Sequence, residues 1–219
     1  MTSTPTLTTR DGVHVLNLGD TENRFGPDWL TVAEKALDQV VAAPAPLVTI
    51  ADGKFFSNGL DLEWVGANPD QFLAYAARVE ALLARILALP VPTVAAVNGH
   101  AFGAGAMVAM AHDWRIMRAD RGYFCFPEVD INIPFTPGMA ALIQAKLSAR
   151  SAVDSMTTGQ RYAGPDALAI GLVDATADEA DLLDHALAKV ADLHAKAGDT
   201  LGAIKATMFA DVVQKLTAS

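Results

Sequence analysis

The sequence predicts a mixed α/β domain whose C-terminal part is helical. Short apolar runs bounded by Gly, Pro or Asp alternate with segments of helical period through the first half of the chain. From Thr136 onward only helical segments follow. Of the 219 residues, 52% are hydrophobic and no low-complexity linker interrupts them, which suits one domain with a large core, residues 1–219.

The elements follow in order. Leu7-Thr8-Thr9-Arg10 and Val13-His14-Val15-Leu16 flank Asp11-Gly12, a pair suited to a tight hairpin. Trp29 to Val41 has helical spacing and is closed by Pro44 and Pro46, which hand over to a strand at Leu47–Ile50. The polar turn Ser57-Asn58-Gly59 leads into a helix-like start, Leu60 to Trp64, with Asp61 as its cap. Asn68-Pro69 reads as an N-cap with Pro at N1, opening a long helix with the stripe Phe72, Tyr75, Val79, Leu82, Ile86 and Leu89. Pro90 and Pro92 end it. Thr93–Val97 reads as a strand, Gly103–Ala111 as a short buried helix, and Trp114–Met117 and Tyr123–Phe126 as two further strands. Thr136-Pro137, Ser148 and Gly164-Pro165 each open a helix, the third stopping at Gly171. Asp178–Ala197 and Leu201–Leu216 read as charged amphipathic helices. Their apolar stripes exceed what a small domain covers, and packing on a neighbouring subunit is the predicted use.

Composition excludes several classes. A net charge of −9 argues against wholesale binding to nucleic acid or to an anionic membrane, though not against an anionic ligand held by a few lysines. The single cysteine, Cys125, forms no internal disulfide and lies in an apolar run as a core thiol, which fits the reducing cytoplasm. The N-terminal MTSTPTLTTR has no apolar signal core, and no apolar stretch reaches membrane-spanning length. The histidines at 14, 100, 112, 185 and 194 lack ligand spacing, so no metal is expected. Gly103-Ala104-Gly105 is not a dinucleotide fingerprint, because position 108 is Val. No P-loop and no nucleophile–His motif is present.

Two glycine-bearing helix starts remain: Ser57-Asn58-Gly59-Leu60 and Asn98-Gly99-His100-Ala101-Phe102-Gly103-Ala104-Gly105. Such starts leave backbone N–H groups without intrahelical partners, and two of them facing one cleft would hold an oxyanion. Each motif alone is ordinary turn chemistry.

In sequence order, GKFFSNGLDL, NGHAFGAG, HDWRIMRADRGYFCFPEVDI and GQRYAGPDALAIGLVD resemble the crotonase (enoyl-CoA hydratase/isomerase) superfamily, from about residue 10 to about 175. SNGLDL, NGHA and EVDI followed by an AKL helix are most similar to the Δ3,Δ2-enoyl-CoA isomerases of plant peroxisomes. The chain ends in Thr217-Ala218-Ser219 rather than their peroxisomal tripeptide, and a cytoplasmic location is expected. The resemblance implies a crotonase-like spiral of ββα units to about residue 147, a helical region from about 148, and assembly as a homotrimer or homohexamer. It implies an acyl-CoA thioester substrate, with coenzyme A part of the substrate and no separate cofactor.

The resemblance also implies roles. The N–H groups of Leu60 and Ala104 form the oxyanion hole, and Glu128 is the catalytic carboxylate. Gly59, Gly103 and Gly105 let backbone approach the ligand. Lys54 lies near the nucleotide, with Ala51, Asp52 and Gly53 beside the adenine. Lys205 or Lys215 offers a further phosphate contact from the tail. Phe102, Phe126 and Phe135 are candidates for the acyl pocket, or plain core. Asp130, two residues beyond Glu128 on an extended chain, is assigned a structural role, and Asp113 and Arg115 a local ion pair. The hydratases of this superfamily carry a second glutamate where this chain has Met107, which neither polarises water nor exchanges a proton. Isomerisation by one carboxylate is therefore the expected chemistry. A hydratase, a decarboxylase, a thioester hydrolase and a non-catalytic acyl-CoA binder are the alternatives.

Overall fold

The chain opens on a hairpin in which β1 (Thr6–Arg10) and β2 (Val13–Asn17) pair antiparallel. Its turn residues Asp11 and Gly12 both take positive φ, 52° and 78°, as a two-residue hairpin requires. This computed structural model describes residues 4–218; Met1–Ser3 of the N-terminal run and Ser219 of the terminal tripeptide lie outside them. Helix α1 (Pro27–Ala42) follows, with Pro at its first turn.

Three ββα turns of the chain then repeat. The first is β3 (Leu47–Ile50), β4 (Phe55–Ser57), α2 (Leu62–Ala67) and α3 (Phe72–Leu87). The second is β5 (Thr93–Val97), β6 (His100–Phe102) and α4 (Ala104–Ala111). The third is β7 (Trp114–Arg118), β8 (Phe124–Cys125), α5 (Glu128–Ile131), α6 (Pro137–Lys146), α7 (Ala149–Thr158) and α8 (Gly164–Ala169). In each turn one strand enters a large sheet, ordered β1-β2-β3-β5-β7-β9, and the next enters a small one, ordered β4-β6-β8. Strand β9 (Ala175–Ala177) closes the large sheet, which is parallel beyond the hairpin. Helices α9 (Leu182–Val190), α10 (Asp199–Met208) and α11 (Ala210–Thr217) complete the chain. No helix among the described residues is long and apolar enough to cross a membrane.

Strand β5 shows why the large sheet needs cover on both faces. Ala95 and Val97 point into the core shared with α1, α3 and α4, while Val94 and Ala96 meet Leu182, Ala186 and Val190 of α9. Helix α4 is buried at all eight residues, which its small and apolar side chains permit. His112, at its end, is fully buried and held neutral: loss of water pushes its pKa down to about 4. Its Nδ1 lies 2.8 Å from Val108 O and its Nε2 2.8 Å from Thr49 Oγ1, so Nδ1 carries the proton and Nε2 accepts.

Several expectations need correction. Asn68 ends α2, its side-chain amide donating to Trp64 O at 2.9 Å, and takes the N-cap position, with Pro69 after it, of a 3-10 turn at Pro69–Gln71 rather than of α3 itself, which follows. The segment 178–197 divides into two 3-10 turns around α9, and the segment 201–216 breaks at Phe209. Asp113 and Arg115 do not pair. Lys205 of α10 binds Asp113 at 2.6 Å, and Arg115 binds Asp174 at 2.9 Å. Glu128 to Ile131 is helical rather than extended, so Asp130 turns away from Glu128 toward Gly159 at the end of α7.

Candidate active site

The turn after β4 is held from below. Ser57 Oγ donates to Asn23 O at 2.8 Å and accepts the Gly59 N–H at 3.0 Å. Asn58 N–H donates to Glu22 O, and Phe25 N–H to Gly59 O. Asn23 in turn donates through Nδ2 to Phe55 O and Phe56 O, each at 3.1 Å. The loop before α1 and the turn before α2 are therefore one rigid piece. Asp61 caps α2 as expected, accepting the Trp64 N–H at 3.1 Å, while its own N–H donates to Tyr75 Oη at 2.9 Å.

The turn after β6 meets this piece. Gly103 has φ 53° and donates its N–H to Cys125 O. Gly59 has φ 77°, and a β-carbon there would lie 2.8 Å from Phe102 O and 2.9 Å from Ala104 N. Only glycine lets the two backbones meet so closely. Neither the Leu60 N–H nor the Ala104 N–H finds an acceptor among the described residues. Both residues line one cavity of about 200 Å³.

Glu128 lines the same cavity. It opens α5 directly after β8 and Pro127, and its carbonyl accepts the Ile133 N–H, closing the segment onto itself. The residue is 8% exposed, and Oε2 has no hydrogen-bond partner among the described residues. Oε1 faces Gly103, where a β-carbon would come within 3.4 Å of it. Loss of water pushes the carboxyl from 4.5 up to about 7, opposed only by a hydrogen bond from its own backbone. A carboxyl pushed toward neutral pH thus shares one cavity with two unpaired N–H donors, which is the equipment for proton transfer beside a carbonyl.

Of the residues singled out in the sequence, Leu60, Phe102, Gly103, Ala104, Met107 and Glu128 share this cavity. Met107 is 1% exposed. Phe126 and Phe135 are not in its wall; they form an edge-to-face pair, 6.2 Å between centroids, in the core. Ala51 to Lys54 stand apart from it. Asn98 holds that loop, accepting the Ala51 N–H and donating to Gly53 O, each at 3.2 Å, and Lys54 is exposed over the Phe55 ring. Lys205 is corrected: it is 4% exposed and spent on Asp113 and Val91 O, out of reach of a bound phosphate. Cys125 is the buried thiol expected, pushed up to about 11.

Sequence reasoning missed Arg24, Asn58, Leu62, Ile133 and Met139 in the cavity wall. Asn58 and Leu62 sat within a motif already quoted; Arg24, Ile133 and Met139 carry no local signal, because only the tertiary fold brings them to the cavity. A wider cleft of about 520 Å³ adjoins the cavity at Arg24 and is walled by Glu22, Asp28, Asp61 and Glu63, but it holds neither Glu128 nor the unpaired amides. No group of three or more His, Cys, Asp or Glu side chains is placed to hold a metal among the described residues.

Comparison with known proteins agrees with this arrangement of strands and turns. The enoyl-CoA hydratase/isomerase family matches residues 12–219. Enoyl-CoA delta isomerase 1, peroxisomal, of Arabidopsis thaliana is 37% identical over 174 residues, covering 77% of this chain and 72% of that protein. Carnitinyl-CoA dehydratase of Escherichia coli is 35% identical over 142 residues, 64% of this chain and 53% of that protein. The human mitochondrial delta3-delta2-enoyl-CoA isomerase superposes with a TM-score of 0.89 over 98% of this chain and 86% of that one; at 22% identity this is a likeness of fold. The spiral of two sheets with a helical C-terminal region is the crotonase fold, and the chain belongs to the enoyl-CoA hydratase/isomerase family.

Proposed function

We propose that this protein is a Δ3,Δ2-enoyl-CoA isomerase acting on unsaturated fatty acyl thioesters, with Glu128 as its single acid–base group. The observation that carries the reading is the buried carboxylate of Glu128, raised to about 7, in one cavity with the Leu60 and Ala104 amides and with Met107. Ionised Glu128 takes a proton from C2 of a 3-enoyl thioester. The electron pair moves through the thioester carbonyl to a dienolate oxygen held by the N–H groups of Leu60 and Ala104. Protonated Glu128 then returns the proton at C4, and the double bond comes to rest between C2 and C3. Met107 keeps the space beside the dienolate dry. The likeness to an isomerase of Arabidopsis thaliana supports the same choice.

Within this reading the loop from Ala51 to Lys54 faces the nucleotide of coenzyme A, and no other cofactor takes part. Residues 1–219 act as one unit, the helical region from about 148 serving assembly as a homotrimer or homohexamer in the cytoplasm. A second reading, addition or removal of water, is favoured by the likeness to carnitinyl-CoA dehydratase. A paired assay separates them. Conversion of trans-3-hexenoyl-CoA to the 2-enoyl thioester with little hydration of crotonyl-CoA supports the isomerase. Fast hydration of crotonyl-CoA supports the second reading, and silence with both sinks the two together.

A further inference from the structure

The cavity that holds Glu128 has two chemically different walls. Arg24 and Asn58 are polar, whereas Leu62, Ile133, Pro134 and Met139 are apolar. The apolar wall is exposed at Leu62 and buried at Met139. Met139 stands there on the first turn of α6 and is 7% exposed. Its N–H donates to Thr136 Oγ1 at 3.1 Å, and the Thr136 hydroxyl donates to the carboxylate of Glu80, which is fully buried on α3. Next to Met139, Gly138 lies against α11 so closely that a β-carbon would stand 2.8 Å from the Leu216 Cα. The start of α6 is thus tied to α3 by a hydrogen bond and backed by the α11 backbone. A methionine side chain can re-orient, but the elements behind it leave it nowhere to retreat.

We infer that Met139 is a specificity-determining residue that limits the acyl group to short chains, an inference that rests on the acyl-CoA reading above. An apolar cavity of about 150 Å³ takes a six-carbon benzene, so about 200 Å³ holds about eight carbons, the thioester carbon included. Carbons beyond that limit lie over Leu62 and Ile131, which are 44% and 46% exposed, and gain only part of the burial a closed pocket gives.

The test compares trans-3-hexenoyl-CoA with trans-3-dodecenoyl-CoA by kcat/KM, and the saturated hexanoyl-CoA with dodecanoyl-CoA by calorimetric Kd. The wild-type protein should favour the six-carbon substrate by about tenfold or more, in the range that a misfit of a methylene or so gives in an apolar pocket. Met139→Ala should narrow that ratio by about threefold or more, and the volume-conserving Met139→Leu should leave it as it was. Equal or better use of the twelve-carbon thioester by the wild-type protein overturns the limit, whatever the variants do. If neither enoyl thioester is converted, the isomerase reading falls, and the ratio of dissociation constants alone then decides: tighter hexanoyl-CoA upholds the length limit, and equal or tighter dodecanoyl-CoA overturns it.

Discussion

Gly59 and Ala104, from two different sheet-to-helix turns, touch: a β-carbon on Gly59 would stand 2.9 Å from Ala104 N. The spacing of the two unpaired amides depends on this contact. Gly59→Ala adds that carbon at a φ of 77°, forcing the turns apart and straining the backbone. We expect kcat to fall by about a hundredfold, the scale of losing one oxyanion donor. The melting temperature should fall as well, by the few degrees that roughly 1–3 kcal/mol implies. Steady-state kinetics and a thermal melt read the two effects separately.

Glu128 gives the pH dependence its sign. As a base it must be ionised, so kcat/KM should rise through about pH 7 and level off above it. Stability should run the other way. The folded protein holds this proton more tightly than the unfolded chain, so the wild-type loses stability relative to Glu128→Gln as pH rises from 4.5 to about 7, and the difference is constant beyond. Its size is of the order of 3 kcal/mol at most, from the shift alone. Urea denaturation of both proteins across that range checks it.

Lys205 ties the tail to the core. Its amine meets Asp113 at 2.6 Å, and that same carboxylate accepts the Thr93 N–H at 2.8 Å. Lys205→Met should cost about 1–3 kcal/mol, because the half-buried Asp113 carboxylate loses its counter-charge and Val91 O its donor. KM for acyl-CoA should stay within about twofold, since Lys205 is buried against Asp113 and Val91 O and does not line the cavity. A large rise in KM without loss of stability would return Lys205 to the phosphate-binding role that its burial denies.

Met107→Glu restores a second carboxylate to the cavity. We expect hydration of crotonyl-CoA to appear above the wild-type background and isomerisation to fall, because a second ionised group draws water toward the dienolate. No gain in hydration would mean that the side chain at 107 does not control access of water.

Long periodic segments were legible in the sequence: α1, α3 and the hairpin stand where spacing and turn residues put them. Strands β4, β6 and β9 were not, because three residues are too few to show alternation. Leu60, Ala104 and Glu128 were found through the resemblance of whole motifs; composition and spacing alone gave only two turns and a carboxylate. Met139 and Arg24 were invisible for a simpler reason. Most of their neighbours in the cavity are far away in the chain, and nothing local distinguishes a cavity methionine from a core one.

The account rests most on Glu128 carrying one proton from C2 to C4. The direct measurement is NMR of the product formed from trans-3-hexenoyl-CoA deuterated at C2, with Glu128→Gln run beside the wild-type protein. A single shielded carboxylate predicts deuterium at C4 of the 2-enoyl product and loss of turnover by about a hundredfold or more in the variant. Complete loss of the label to water, together with near wild-type turnover by Glu128→Gln, would contradict it.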